Sequence, residues 1–248
     1  MQEISAFSND FAASWNGVEQ KYLLNQMHRH NYDVDESKKE FSHRVSVVPK
    51  AYSPRVHSII QEAKKVFDGT SGTALEELNL VPLREKLAHL RPEDVAGDRM
   101  SMLSRGEVGY VSLEDNPNFT IGVFFLAPGA TIPLHDHPEM CVLSHVVKGN
   151  VHVTSFDFDL ASTSDVAYLV DDGLYSAPVT RTLFPTSGGN LHTFTSKTGC
   201  IIVDVMSPPY DEMDGRECTY FKTAKLQGQI YEIEKTIPPE DFEVIDLS

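Results

Sequence analysis

Gly129-Ala-Thr-Ile-Pro-Leu-His135-Asp-His137-Pro-Glu139-Met-Cys141-Val142-Leu-Ser-His145-Val-Val-Lys-Gly149 decides how the rest of this chain is read. In an extended segment His135 and His137 are two residues apart, so both imidazoles leave the same face of a sheet. Two nitrogens on one face can grip one metal ion. A third donor must come from elsewhere, and Pro185-Thr-Ser-Gly188-Gly189-Asn190-Leu191-His192 offers one. Its glycines permit tight turning just before an imidazole that can point inward. His145 shares the parity of the first pair and would face the same interior if its strand ran on without a bulge. His152 alternates with Val151 and Val153. Both are read as structural histidines rather than ligands. Asp136, between the two ligands, is expected to point away from the metal and to support its loop.

Outward from this segment, the chain beyond about Gly106 alternates short runs of Val, Ile, Phe, Thr and Tyr with Gly, Pro, Asn and Asp clusters. Spacing of roughly 8 to 12 residues between turn signals predicts an all-β barrel or sandwich. The expected strands are Gly109 to Leu113, Phe119 to Leu126, Met140 to Val147, Val151 to Phe158, Leu191 to Thr195, Cys200 to Met206, Thr219 to Lys222 and Ile230 to Glu234. Gly149-Asn150 reads as a two-residue hairpin turn, because glycine supplies the positive φ of a type II′ turn. The acidic stretch from Asp157 to Asp172 reads as a long surface connection.

Before the β region, Val56, Ile59, Ile60, Ala63 and Val66 or Phe67 recur at helical spacing in Arg55 to Phe67, with Gly69 as the stop. Two further helices are expected, Ala74 to Leu80 and Leu83 to Leu90, with Pro82 in a first turn and Pro92 beyond the end. Residues 1–50 read as a flexible or partly helical extension. Residues 51–248 read as a single domain, with a helical preface to about residue 105 and a β core over about 106–235.

The chain has 248 residues, enough to bury a sizeable core, and a net charge of −15. That charge repels a phosphate backbone and anionic lipid, so nucleic acid and membrane surfaces are not expected partners. No apolar run approaches the roughly 18 residues of a membrane span. The N-terminus lacks a basic region followed by an apolar stretch. A cytoplasmic location and a monomeric state are expected. Cys141, Cys200 and Cys218 are odd in number and lack CxxC spacing, which fits a reducing compartment.

Gly129-x5-His135-x-His137 with Gly149 downstream resembles the first cupin motif, and Gly189-x2-His192 resembles the core of the second. Ser187 stands where the second motif usually has proline. Val142 stands where generic cupins carry a glutamate ligand. The remaining three imidazoles are the ligand set of the cupin thiol dioxygenases. PLHDHPEM, SGGNLH, VDVMSPPYD and GRECTYF resemble the family of the cysteamine (2-aminoethanethiol) dioxygenases and plant cysteine oxidases, over roughly residues 55 to 235.

The resemblance implies a mainly β cupin, a double-stranded β-helix or jelly-roll-like barrel with N-terminal helices. It further implies Fe(II) on His135, His137 and His192. The implied reaction is oxidation by O2 of a thiol to a sulfinic acid, on cysteamine, on the N-terminal cysteine of peptides and proteins, or on both. Oxidation of N-terminal cysteine would mark proteins for degradation in an oxygen-dependent way. Asp204 and Tyr210 fall where the family has an acid and a tyrosine at the active site. Asp204 would attract a substrate ammonium or act through a hydrogen bond to a ligand, and Tyr210 would donate to bound oxygen. Cys218 and Tyr220, on one face at i and i+2, invite a thioether cross-link in that family; the plainer reading is a buried thiol packed near an aromatic. Two other classes stay open: a zinc lyase or hydrolase, since three histidines also suit catalytic zinc, and a non-catalytic metal-binding cupin.

Overall fold

The computed structural model describes residues 52–68, 75–162 and 165–248. The expectations for residues 1–50, Gly69 and Ala74 lie outside the described residues. Helix α1 (Pro54–Phe67) follows the expected stripe: Ser53 caps it by accepting from the Val56 N–H at 3.3 Å, and Val56, Ile59, Ile60, Ala63 and Phe67 are buried. In place of the two expected helices there is one, α2 (Glu77–Leu87), which runs through Pro82. Proline removes the bond to the carbonyl of Leu78. Leu78 and Pro82 both lie exposed, so water can satisfy that carbonyl, while buried Leu80, Leu83 and Leu87 hold the helix together from the other side. Pro92 opens a short 3-10 turn, Pro92–Val95, rather than merely marking a stop.

Among the described residues the β region has eleven strands. They are β1 (Val108–Asp115), β2 (Thr120–Leu126), β3 (Thr131–His135), β4 (Cys141–Phe158), β5 (Val166–Ser176), β6 (Val179–Leu183), β7 (Leu191–Thr195), β8 (Cys200–Ser207), β9 (Tyr220–Gln227), β10 (Ile230–Thr236) and β11 (Val244–Asp246). One run of pairings joins β11, β1, β2, β8, β4 and β6. Another closes a circuit through β4, β5, β10, β9, β3 and back to β4 by β7. The fold is a mainly β double-stranded β-helix of the cupin type with N-terminal helices. The largest apolar cluster among the described residues joins α1 and α2 to one face of the first sheet through residues such as Phe67, Leu83, Val123, Leu143 and Val203.

The expected hairpin at Gly149-Asn150 is not a turn. β4 is one strand of 18 residues that continues through it. Cys141 to Gly149 pairs with β8, and Asn150 to Phe158 with β5, so the strand crosses from one sheet to the other at this glycine. A register shift between Val146 and Lys148 precedes the crossing, and Gly149 has φ 80°. Bulge and glycine together bend the strand at a barrel corner. The positive φ was rightly inferred; its use is a corner rather than a hairpin. The acidic stretch expected to be a connection holds the first part of β5, whose exposed outer face dilutes its apolar signal.

Candidate metal centre

β3 ends at His135, which pairs directly with His192 on β7 and with Tyr220 on β9. His137 lies past the end of β3, yet its ring meets the other two: ring centroids are 5.0 Å apart for His135 and His137, 4.8 Å for His135 and His192, and 4.7 Å for His137 and His192. All three are buried, and their ligating nitrogens fall within 4.8 Å of one another. The structure thus brings together the set expected from the HxH pair and the glycine-rich segment.

The tautomers follow from the outer contacts. His135 Nδ1 lies 2.8 Å from the Pro133 carbonyl, which can only accept, so Nδ1 carries the proton and Nε2 offers its lone pair. His137 Nδ1 lies 2.8 Å from the Tyr210 hydroxyl, and that hydroxyl is 2.7 Å from the Asp136 carbonyl. One proton cannot serve both neighbours. Tyr210 donates to Asp136 and accepts from His137 Nδ1–H, again leaving Nε2 free. Burial pushes His135 down to about 4, against a weaker opposing effect of the Pro133 bond, and holds His137 and His192 well below the usual histidine range. The imidazoles are neutral, as metal ligation requires.

These residues fit a divalent transition metal. Two nitrogens each about 2.1 Å from one ion, at a right angle to it, lie about 3.0 Å apart; His137 Nε2 and His192 Nε2 are 3.0 Å apart. Val142 is fully buried with Met140, Leu183 and Met206 in an apolar cluster, so no carboxylate joins from that position.

Asp204 sits on β8 opposite Ser144 of β4, and Ser144 lines a small cavity together with Arg181 and His192. Paired residues share a face, which places Asp204 toward the barrel interior. Burial raises its carboxyl to about 7, partly offset by the Ser144 hydrogen bond, and Oδ1 has no partner among the described residues. The Tyr210 hydroxyl lies on the Nδ1 side of His137 and bonds the Asp136 carbonyl, a position from which it can orient that ring. The Cys218 thiol is within hydrogen-bonding reach of both Tyr210 and Tyr220, and burial followed by the charge of Asp136 pushes it up to about 12. Asp136 Oδ1 accepts from the Thr219 N–H at 2.9 Å, which ties the ligand loop to the segment before β9.

His145 does not join the interior. A turn between His137 and Cys141 resets the parity, and His145 lies opposite Val203 on the helix-covered face, with Nδ1 2.7 Å from Thr180 Oγ1. His152 is half-exposed, 3.4 Å from Asp172. Two contributors went unrecognised in the sequence. Asn190 bonds the backbone of His137, and Arg181 packs over the Tyr175 ring, pairs with Asp171 and reaches Ser155 Oγ at 3.4 Å. Asn190 stands directly after the double glycine, two residues before a ligand, and that position was its only signal.

Comparison with known proteins agrees with this geometry. Plant cysteine oxidase 2 of Arabidopsis thaliana is 38% identical over 180 residues, covering 67% of this chain and 65% of that protein. The 2-aminoethanethiol dioxygenase of Homo sapiens is 28% identical over 175 residues, covering 58% of this chain and 65% of that one. The aligned part thus spans slightly under two thirds of each relative. A solved RmlC-like cupin from Shewanella frigidimarina superposes with a TM-score of 0.34 at 21% identity over 44% of this chain and 82% of that one, and the fold rests on the strand pairings instead. The family model described as PCO_ADO matches residues 23–242. That span is most of the chain, and the protein belongs to the PCO_ADO family.

Proposed function

We propose that the protein is an iron(II)-dependent thiol dioxygenase that oxidises the thiol of a small aminothiol, such as cysteamine, or of an N-terminal cysteine to a sulfinic acid. The observation that carries this reading is the ligand set: three buried neutral imidazoles with Val142 where a carboxylate would stand. Neutral ligands leave the full charge of a divalent ion uncompensated, so an anionic thiolate is the matching substrate group. Iron(II) held by His135, His137 and His192 would supply open coordination positions and the redox chemistry that joins oxygen to sulfur. The balance is R–SH + O2 → R–SO2H, with both oxygen atoms ending on sulfur and sulfur as the group oxidised.

The protein's own residues then have distinct tasks. His135, His137 and His192 hold the ion with Nε2, and the Pro133 carbonyl and Tyr210 hydroxyl fix two of the rings from behind. Asp204 receives the substrate ammonium on its unpartnered oxygen, and a cation there would return its carboxyl toward the charged form. Cysteamine and an N-terminal cysteine both carry an amine two carbons from sulfur, so one site serves either. The net charge of −15 favours the approach of cationic substrates. Cys218 and Tyr220, in hydrogen-bonding reach of each other, we read as a thiol packed near an aromatic, the pair that a thioether would join. With N-terminal cysteine as substrate, the enzyme would couple oxygen supply to protein degradation in the cytoplasm, acting as a monomer.

The test is metal-specific turnover. Protein reconstituted with Fe(II) is expected to add two oxygen atoms to cysteamine or to a Cys-initiated peptide, as read by mass spectrometry, and Zn(II)-loaded protein is expected to add none. Turnover by Zn(II)-loaded protein with no gain of oxygen on sulfur would favour a hydrolase or lyase. Retained iron without oxygen uptake on any aminothiol would favour a non-catalytic cupin.

A further inference from the structure

The sequence Gly188-Gly189-Asn190-Leu191-His192 holds two consecutive residues with left-handed backbone, Gly188 at φ 85° and Gly189 at φ 86°. A Cβ on Gly189 would sit 2.4 Å from Ser155 Oγ, so the chain here is pressed against β4. This path aims two consecutive N–H groups, of Gly189 and Asn190, at a single acceptor, Asp157 Oδ1, at 2.8 and 2.9 Å. It also turns the Asn190 side chain, 2% exposed, toward a loop 53 residues earlier in the chain. There Oδ1 accepts from the His137 N–H at 3.1 Å, while Nδ2 donates to the His137 carbonyl at 2.8 Å and to the Phe184 carbonyl at 3.1 Å.

The amide orientation is settled by chemistry. Reversed, it would set a donor against the His137 N–H and an acceptor against two carbonyls, leaving buried groups unpaired. The contact is what a neighbouring strand would give: one residue bonded through both N–H and C=O. His137 lacks such a neighbour because β3 ends at His135. His192, two residues beyond Asn190, is fixed in β7 between β3 and β4.

We propose that Asn190 is a positioning residue of the metal centre: its amide serves as a surrogate strand that locks the backbone of His137 to the segment carrying His192 and so sets the separation of these two ligands. Asp157 holds the double-glycine turn from which the amide projects. The inference rests on the three histidines binding a metal, though not on iron or on any substrate.

Full-length protein stripped with a chelator and titrated with Co(II) alone tests it, because the visible absorption of bound Co(II) reports coordination geometry. Wild type that binds no Co(II) would sink the metal assignment itself, a result separate from any effect of Asn190. With wild type binding, Asn190→Ala is expected to weaken Co(II) affinity about 10- to 100-fold, the usual effect of removing an outer partner of a ligand, and to shift the absorption bands. Asn190→Asp keeps the size and the acceptor for the His137 N–H but opposes both carbonyls, and is expected to shift the spectrum as well. Asp157→Asn retains an acceptor and is expected to restore most of the affinity that Asp157→Ala loses. Unchanged affinity and unchanged bands in a folded Asn190→Ala protein would overturn the proposal. If that variant fails to fold, the same unchanged readings in Asn190→Asp would overturn it.

Discussion

The two halves of β4 are one strand in two surroundings. Cys141 to Val147 is buried at every position, with helices over one face and the barrel interior against the other. Asn150 to Phe158 for the most part alternates, with Val151, Val153 and Ser155 buried and His152 and Thr154 partly open to solvent. A strand enclosed on both faces has no position at which a change is free, whereas a strand with one wet face has such a position every second residue. The metal ligands border the wet-faced circuit, and Asp204, the acid paired with the cavity-lining Ser144, comes from the enclosed sheet.

The junction between the halves should be the most sensitive point. Gly149→Ala demands left-handed backbone from a residue with a Cβ and places that atom 2.1 Å from the Gly199 carbonyl oxygen. A loss of about 4 kcal/mol is expected from the backbone and crowding costs together, read as a lower urea midpoint at unchanged m. Within the enclosed half, Leu143→Ala removes a fully buried side chain from the helix-packed cluster and should cost about 3 kcal/mol. A loss near that seen at exposed sites would show that the helices do not seal this face.

Next comes a pH effect on the other face of the same sheet. Asp204 is raised from 3.8 to about 7 in the folded protein, so between these values the folded state holds a proton that the unfolded state has released. Stability from this group is full below about 4 and is lost as pH rises through about 7. In chelated protein, Asp204→Asn should therefore gain on wild type by about 2 to 3 kcal/mol between pH 5 and pH 8. A difference independent of pH would mean that Asp204 is ionised or solvated. The smallest effect belongs to the wet half: His152→Gln, which removes a half-exposed contact with Asp172, should change stability by under about 0.5 kcal/mol.

The same contrast explains what could be read from the sequence. β8, buried at all eight positions, announces itself as the run Cys-Ile-Ile-Val-Asp-Val-Met-Ser, apolar but for Asp204 and Ser207. β5 exposes Tyr168, Val170, Asp172 and Leu174 and resembles a loop. The HxH pair was legible because its spacing carries chemistry that does not depend on neighbours. The partner of His145 and the place of Tyr210 were not, since both depend on which strand lies alongside, and pairing is a long-range outcome. Gly149 shows the limit of local rules: a positive φ can be inferred, but a turn and a corner need the same φ. Pro82 shows another, because a stripe of buried leucines outweighs one missing backbone bond.

The most direct measurement of the proposed activity is the origin of the oxygen in the product. Fe(II)-reconstituted protein is given cysteamine or a Cys-initiated peptide under 18O2 in ordinary water, with His135→Ala in parallel. The expected product is a sulfinic acid carrying two 18O atoms, absent with the variant. A product whose oxygen comes from water, or an equal yield from His135→Ala, would contradict the assignment of a thiol dioxygenase centre on His135, His137 and His192.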